Sequence, residues 1–190
     1  TFSQTFFACK VVDTEKVNKD LLNKEIELLK LLDHPNVIHL REIWKEDVSA
    51  LVHLIMELAA GPDLYHDLKV AKFYQEDIAA HIFIDALQAV RYVHSMGIVH
   101  RDLKLSNFVF AKPYENRSAF PPPLKLIDFG FSESYIEIES MKQIVGTSYF
   151  LAPEIATECG YSERCDLWSM GVILYMILCG EAPFFGSTKR

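Results

Sequence analysis

A chain of 190 residues, half of them hydrophobic, carries enough apolar material for a sizeable core and reads as globular rather than disordered. Its net charge of −7, with no run of Lys and Arg, argues against nucleic acid or an anionic membrane as main partner. The four cysteines (Cys9, Cys159, Cys165, Cys179) form no Cys-x-x-Cys pair and the seven histidines no paired metal motif, which fits reduced thiols in a cytoplasmic protein.

The first element is a strand from Thr5 to Val12. Period two puts Phe6, Ala8, Lys10 and Val12 on one face, so a lysine shares a face with apolar neighbours. It is either an edge-strand lysine reaching for water or one that needs a buried carboxylate and grips phosphate oxygens. The helix that follows, Asn18 to Leu32, has an apolar stripe of Leu21, Leu22, Leu28, Leu29 and Leu32. Glu25 lies in the middle of that stripe, where a carboxylate is costly unless paired. Lys10 is the candidate partner; the alternative is a lone glutamate tolerated at the helix edge.

Asp33-His34-Pro35-Asn36 stops the helix, because proline disfavours helical geometry in the residue before it. Strands are expected at Val37 to Trp44 and Ala50 to Glu57, and Ala59-Ala60-Gly61-Pro62 breaks the pattern again. Asp63 reads equally as a helix N-cap and as a ligand-binding carboxylate. Gln75 to Met96 is a long amphipathic helix with Ile78, Ile82, Phe83, Ala86, Leu87, Val90 and Val93 on one face, closed by Gly97.

This helix delivers the chain to His100-Arg101-Asp102-Leu103-Lys104-Leu105-Ser106-Asn107. An Asp, a Lys and an Asn at this spacing behind His-Arg follow the pattern of phosphoryl-transfer loops, although a stretch this short is also compatible with a plain solvated loop. Phe108-Val109-Phe110 reads as a strand, Lys112 to Pro123 as a proline-containing loop, and Leu124 to Phe131 as an apolar strand containing Asp128-Phe129-Gly130. A carboxylate at the end of a buried strand, before a permissive glycine, suits a magnesium ligand. Asp166 then opens a helix that is apolar nearly all round to Leu178; the apolar run there is too short to span a bilayer.

Together with Phe7-Ala8-Cys9-Lys10, Glu25 and Ala152-Pro153-Glu154, these motifs stand in the order found in protein kinases, which the chain resembles over nearly its whole length. Asp-Leu-Lys in the loop looks like the serine/threonine branch. Cys179-Gly180-Glu181-Ala182-Pro183-Phe184-Phe185-Gly186 resembles the calcium/calmodulin-dependent and calcium-dependent kinases. The resemblance implies an α+β, bilobal fold: a β-rich lobe at 1–58, a hinge at 59–62 and a mainly helical lobe at 63–190. It implies ATP and Mg²⁺ as cofactors and a protein serine or threonine as acceptor. Asp102 would be the base and Lys104 would steady the phosphate. Asn107 and Asp128 would hold magnesium, and Lys10, held by Glu25, would orient the nucleotide. Ala8, Met56, Val109 and the backbone of Glu57 and Ala59 would surround adenine, and Asp63 would reach the ribose. Thr147 would bridge Asp102 and Lys104, and Phe129 would pack toward Leu29, Leu40 and His100.

The sequence also departs from the family pattern. Nothing before Lys10 supplies a glycine-rich phosphate loop, and the sequence stops at Arg190, before the family's last helices, so a partial domain is expected. The position that usually carries an activating phosphate, anchored by Arg101, is Gln143; Glu137, Glu139 or a nearby serine would have to substitute, unless no phosphate is needed. Leu105-Ser106 replaces the usual Pro-Glu, which leaves substrate preference open. No Asp-x-Asp-x-Asp-Gly loop is present, so any calcium sensing belongs to a regulatory segment outside this chain. The rival from another class is a kinase-like binding module without turnover.

Overall fold

The computed structural model describes residues 5–46, 50–114, 120–134, 149–156 and 162–184. Strand β1 (Phe7–Asp13), helix α1 (Lys19–Leu31) and strands β2 (Leu40–Lys45) and β3 (Leu51–Glu57) form the first layer. The sheet is antiparallel in the order β1-β3-β2, and its register sets Ala8 opposite Met56 and Lys10 opposite Leu54. Along β1, Phe7, Cys9 and Val11 are exposed while Ala8, Lys10 and Val12 are half-buried, which is the period-two alternation of a one-sided strand.

Asn18 starts α1: its Oδ1 accepts from the Asp20 and Leu21 amides at 2.9 and 3.2 Å. A cap of this kind stabilises a helix by about 1 kcal/mol. The buried face is Leu22, Glu25, Ile26 and Leu29, an i, i+3, i+4, i+7 set. Leu21, expected in the stripe, is instead 59% exposed, because it lies one 100° step off the centre of that face.

The second layer comprises α2 (Leu64–Ala71), α3 (Glu76–Ser95), the short strand β4 (Ile98–Val99), a 3₁₀ turn at Leu105–Asn107, the antiparallel pair β5 (Phe108–Phe110) and β6 (Leu124–Leu126), β7 (Glu133–Ser134) paired with β4, α4 (Pro153–Ala156) and α5 (Arg164–Cys179). The sequence anticipates helix α2 only through Asp63, one of whose two readings is an N-cap; the buried Leu64 and Leu68 at i, i+4 carry the rest of its signal. The strand expected from Leu124 to Phe131 ends at Leu126. Asp128 has φ 63°, a left-handed conformation that a ladder cannot continue through. Helix α5 is buried on one face only, through Met170, Val172, Ile173 and Ile177, while Leu167 and Tyr175 point outward and exposed Trp168 stacks on Phe184.

One continuous apolar core runs through both layers, from Val52 and Leu54 of the sheet through Leu29 to Phe108, Phe110, Leu126 and Phe129, and on to Ile82, Val90 and Ile173. A smaller cluster of Val99, Ala152, Ile155 and Cys165 lies apart from it. The layers are stitched at two places. The Ile38 amide donates to Leu126 O and the Leu126 amide to Asn36 O, at 2.9 and 2.8 Å. The Gly61 amide donates to Phe110 O at 2.9 Å, and the Phe110 amide to Pro62 O at 3.0 Å. Gly61 lies so close to β5 that a Cβ there would meet Lys112 O at 2.5 Å and Phe110 O at 2.6 Å.

Candidate active site

A cavity of about 350 Å³ opens between the layers. Ala8, Lys10, Met56 and Glu57 line it from the sheet, Glu25 and Leu29 from α1, and Val109, Ile127, Asp128 and Phe129 from the second layer; Ile38 and Ala59 complete the wall. The lining is thus mostly apolar, with Lys10, Glu25 and Asp128 gathered together, the usual make-up of a small-molecule site. Asp63 does not line it. Its Oδ1 caps α2 by accepting the His66 amide at 2.9 Å, and its Oδ2 lies 2.6 Å from His66 Nδ1. Asp63 is therefore the helix cap of α2.

Lys10 and Glu25 come together, with Nζ 2.7 Å from Oε1. The glutamate is almost buried within the apolar face of α1 and the lysine is partly open to the cavity. A buried carboxylate without a partner would be strongly unfavourable, so this pair fixes where α1 can sit over the sheet. Asp128 Oδ1 lies 3.9 Å from the same ammonium. One lysine thereby joins sheet, helix and second layer. Phe129, fully buried next to Asp128, meets His100 edge to face with ring centroids 5.1 Å apart.

The His100–Asn107 loop is built on a buried carboxylate. Asp166, at the start of α5, accepts the His100 amide on Oδ2 and the Arg101 amide on Oδ1, at 2.8 and 2.9 Å; its Oδ2 also lies 2.8 Å from His94 Nε2. This two-amide clamp holds Arg101 at φ 68°, a conformation that ordinarily costs a non-glycine residue about 1–3 kcal/mol. Buried His100 accepts the Asp102 amide on Nδ1 at 3.3 Å and places Nε2 3.4 Å from Ile127 O. The neutral Nε2–H tautomer satisfies both contacts. Burial pushes the imidazole below its usual pKa, against the opposing pull of Asp166, Asp102 and Asp128.

Within the loop, Lys104 Nζ lies 2.5 Å from Asp102 Oδ2. Asn107 Nδ2 donates to Asp102 O at 2.9 Å, which directs its Oδ1 away from that carbonyl. Asn107 O also accepts the Ile127 amide at 2.8 Å, tying the loop to the strand that leads into Asp128. Thr147, assigned to bridge Asp102 and Lys104, lies outside the described residues, as do Gln143, Glu137 and Glu139.

Four charged residues, Arg101, Glu133, Lys24 and Lys125, make contacts that the sequence reading did not assign. Arg101 donates from Nε to Phe131 O at 2.5 Å and from Nη2 to Glu133 Oε2 at 3.1 Å. Glu133 Oε1 also meets Lys24 Nζ of α1. Lys125 is buried on β6, donating to Pro35 O at 2.8 Å and pairing with Glu57 Oε2 at 2.9 Å. The signal for Lys125 was its position inside Leu-Lys-Leu, where any cation must find acceptors. For Glu133 the signal was weaker: a lone acid just past Gly130, in no pattern that names a partner.

The protein-family profile described as "Protein kinase domain" matches residues 2–190. Calcium-dependent protein kinase 14 of Arabidopsis thaliana is 37% identical over 189 residues, covering 97% of this chain and 34% of that protein. Human calcium/calmodulin-dependent protein kinase type IV is 39% identical over 183 residues, covering 96% and 37%. Calcium-dependent protein kinase 5 of Plasmodium berghei (strain Anka) is 35% identical over 183 residues, covering 96% and 31%. The chain spans about a third of the length of these curated relatives. With its α+β architecture, the chain belongs to the protein kinase family, similar to its calcium-dependent and calcium/calmodulin-dependent members.

Proposed function

We propose that the protein transfers the γ-phosphate of ATP to a serine or threonine hydroxyl of a protein substrate. The observation that carries this reading is the meeting in one cavity of the Lys10–Glu25 pair and Asp128, with the Asp102–Lys104–Asn107 loop tied to the cavity wall through Asn107 O and the Ile127 amide. Adenine occupies the apolar end, between Ala8 on one side and Val109 on the other, with Met56 at the back. The Glu57 carbonyl and the Ala59 amide are its hydrogen-bonding groups; the Glu57 amide is already donated to His39 O at 2.9 Å. Lys10 holds the phosphates, and residues 59–62 are the hinge between the lobes.

Asn107 Oδ1 and the Asp128 carboxylate are hard oxygen donors, which fit a magnesium ion. Bound there, the ion supplies charge neutralisation and orientation of the phosphates. Asp102 accepts the proton of the attacking hydroxyl as the oxygen bonds to the γ-phosphorus and the bond to the β-phosphate oxygen breaks. Lys104 offsets the charge on the transferring group. Positioning and electrostatics supply most of the acceleration in this chemistry.

Cytosolic location is part of the proposal: the described cysteines, Cys9, Cys165 and Cys179, are free thiols, and among described residues no helix is long and apolar enough to cross a membrane. A regulatory segment beyond these 190 residues is also part of it, since relatives named as calcium-dependent are about three times as long.

The test is phosphate transfer from labelled Mg·ATP to mixed serine, threonine and tyrosine peptides. Label is expected on serine and threonine, and Asp102→Asn is expected to lower the rate by about 10²–10⁴-fold. Unlabelled peptides together with intact Mg·ATP binding would favour a kinase-like binding module instead.

A further inference from the structure

We propose that Cys9 is a modification site on the outer face of the sheet, a thiol that His53, oriented by Glu46, makes reactive toward hydrogen peroxide. The three side chains come from three parts of the sheet. Cys9 is exposed on β1 and points to the face opposite Lys10. His53 lies on β3, two residues from the ladder partner of Cys9, Ile55. Glu46 directly follows β2, and its amide donates to Leu51 O at 3.0 Å. Diagonal cross-strand neighbours such as Cys9 and His53 are within side-chain reach. Cys9 Sγ lies 3.8 Å from His53 Nδ1, and His53 Nε2 lies 2.9 Å from Glu46 Oε1.

An ionised carboxylate only accepts hydrogen bonds, so Glu46 fixes the neutral ring as the Nε2–H tautomer and leaves the Nδ1 lone pair for the thiol. Nucleophile, base and orienting acid in series form the arrangement that activates a thiol. Glu46 faces the far ring nitrogen rather than the sulfur, so the three groups do not converge on one point. They suit proton transfer, not the binding of an ion. Glu42, opposite Ile55, and Glu46 give this face an acidic rim that disfavours anionic disulfides. Peroxide is small and uncharged. In the reaction, Nδ1 takes the thiol proton and the sulfur attacks one peroxide oxygen. The O–O bond breaks, and the proton passes to the departing hydroxide, which leaves as water. Sulfur gives up two electrons, peroxide gains them, and Cys9 becomes a sulfenic acid. Cys165 and Cys179 lie on α5 in the second layer, so among the described residues no neighbouring thiol is placed to convert it to a disulfide.

The experiment exposes the reduced full-length protein to excess hydrogen peroxide in the presence of a chelator and traps sulfenic acid with dimedone. Peptide mass spectrometry follows the label at each cysteine over time, with exposed Cys179 as the internal reference. Wild type, His53→Gln, Glu46→Gln and the double variant are compared. In wild type, Cys9 is expected to label about tenfold faster than Cys179, and His53→Gln to remove that advantage without changing the rate at Cys179. Glu46→Gln is expected to slow Cys9 in the same sense. Because Glu46 acts through the ring, the double variant should be no slower than His53→Gln, an outcome that a merely structural role would not produce. Equal labelling of Cys9 and Cys179 in wild type would overturn the inference. So would an undiminished Cys9 rate in His53→Gln, additive losses in the double variant, or a change at Cys179 matching that at Cys9. The readout requires no phosphate transfer, so it stands apart from the kinase reading.

Discussion

His100 illustrates how one buried side chain can carry both architecture and pH dependence. Its folded pKa lies below the usual 6.5 because burial disfavours the imidazolium. Below 6.5 the unfolded chain takes up a proton that the folded protein resists, so this contribution to stability is fully present above the unfolded value. It is lost as pH falls from there toward the folded value, with a slope of at most about 1.4 kcal/mol per pH unit for one proton. Half-buried His34 is shifted in the same direction, by desolvation and by the nearby Lys125 charge. Urea unfolding at pH 7.5 and 5.5 should therefore show lower stability at the acid end, and His100→Phe should reduce the difference. An unchanged difference in that variant would mean that His100 does not contribute. At this scale residue types alone reveal only part of the chemistry. Glu25 was legible because it interrupts an apolar stripe, whereas the residue type of Asp63 offered two readings, of which the structure displays the α2 cap.

Elements were legible where pattern and geometry agree. Helix α3 is bounded by Gln75 and Met96, one residue outside its first and last helical positions, since a 20-residue amphipathic period overwhelms local ambiguity. The short pieces were harder. Strand β2 begins at Leu40 rather than Val37, because Val37 makes a parallel bridge to Leu126 of the other layer instead of joining the sheet. No period within the 37–44 segment encodes that long-range partner. Gly61 is a case where the requirement is steric: its backbone approaches β5 too closely for any side chain. Gly61→Ala should force the 60–62 segment off β5 and destabilise the protein by about 1–3 kcal/mol, the range for overpacking a fitted contact. Denaturant titration of the variant checks this, and stability equal to wild type would show that the contact yields.

On the scale of the whole molecule, the motif order made the family legible, while the ion-pair connections between motifs were not. Motifs are contiguous in sequence, but Arg101, Glu133 and Lys24 meet only when three elements are assembled. The cleft also predicts a thermodynamic signature. Mg·ATP at about 100 times its dissociation constant should stabilise the folded state by about 2.7 kcal/mol. Lys10→Met should remove most of that gain in thermal melts and, by leaving Glu25 unpaired, should also lower the melting temperature without ligand; an undiminished ATP-induced shift would place the nucleotide elsewhere.

The two stitches between layers have a mechanical meaning. Asn36 and Ile38 are fixed to β6, and Gly61 and Pro62 to β5, by backbone hydrogen bonds. Two fixed points define a line, so the sheet is left with a single soft rotation about the axis through them. Residues near that axis, such as Ile38 and Ala59, barely move in such a rotation, whereas Lys10 on the outer strand β1 sweeps the largest arc. The ammonium that reaches both Glu25 and Asp128 is thereby mounted on the long arm of a lever whose pivot runs along the pocket wall.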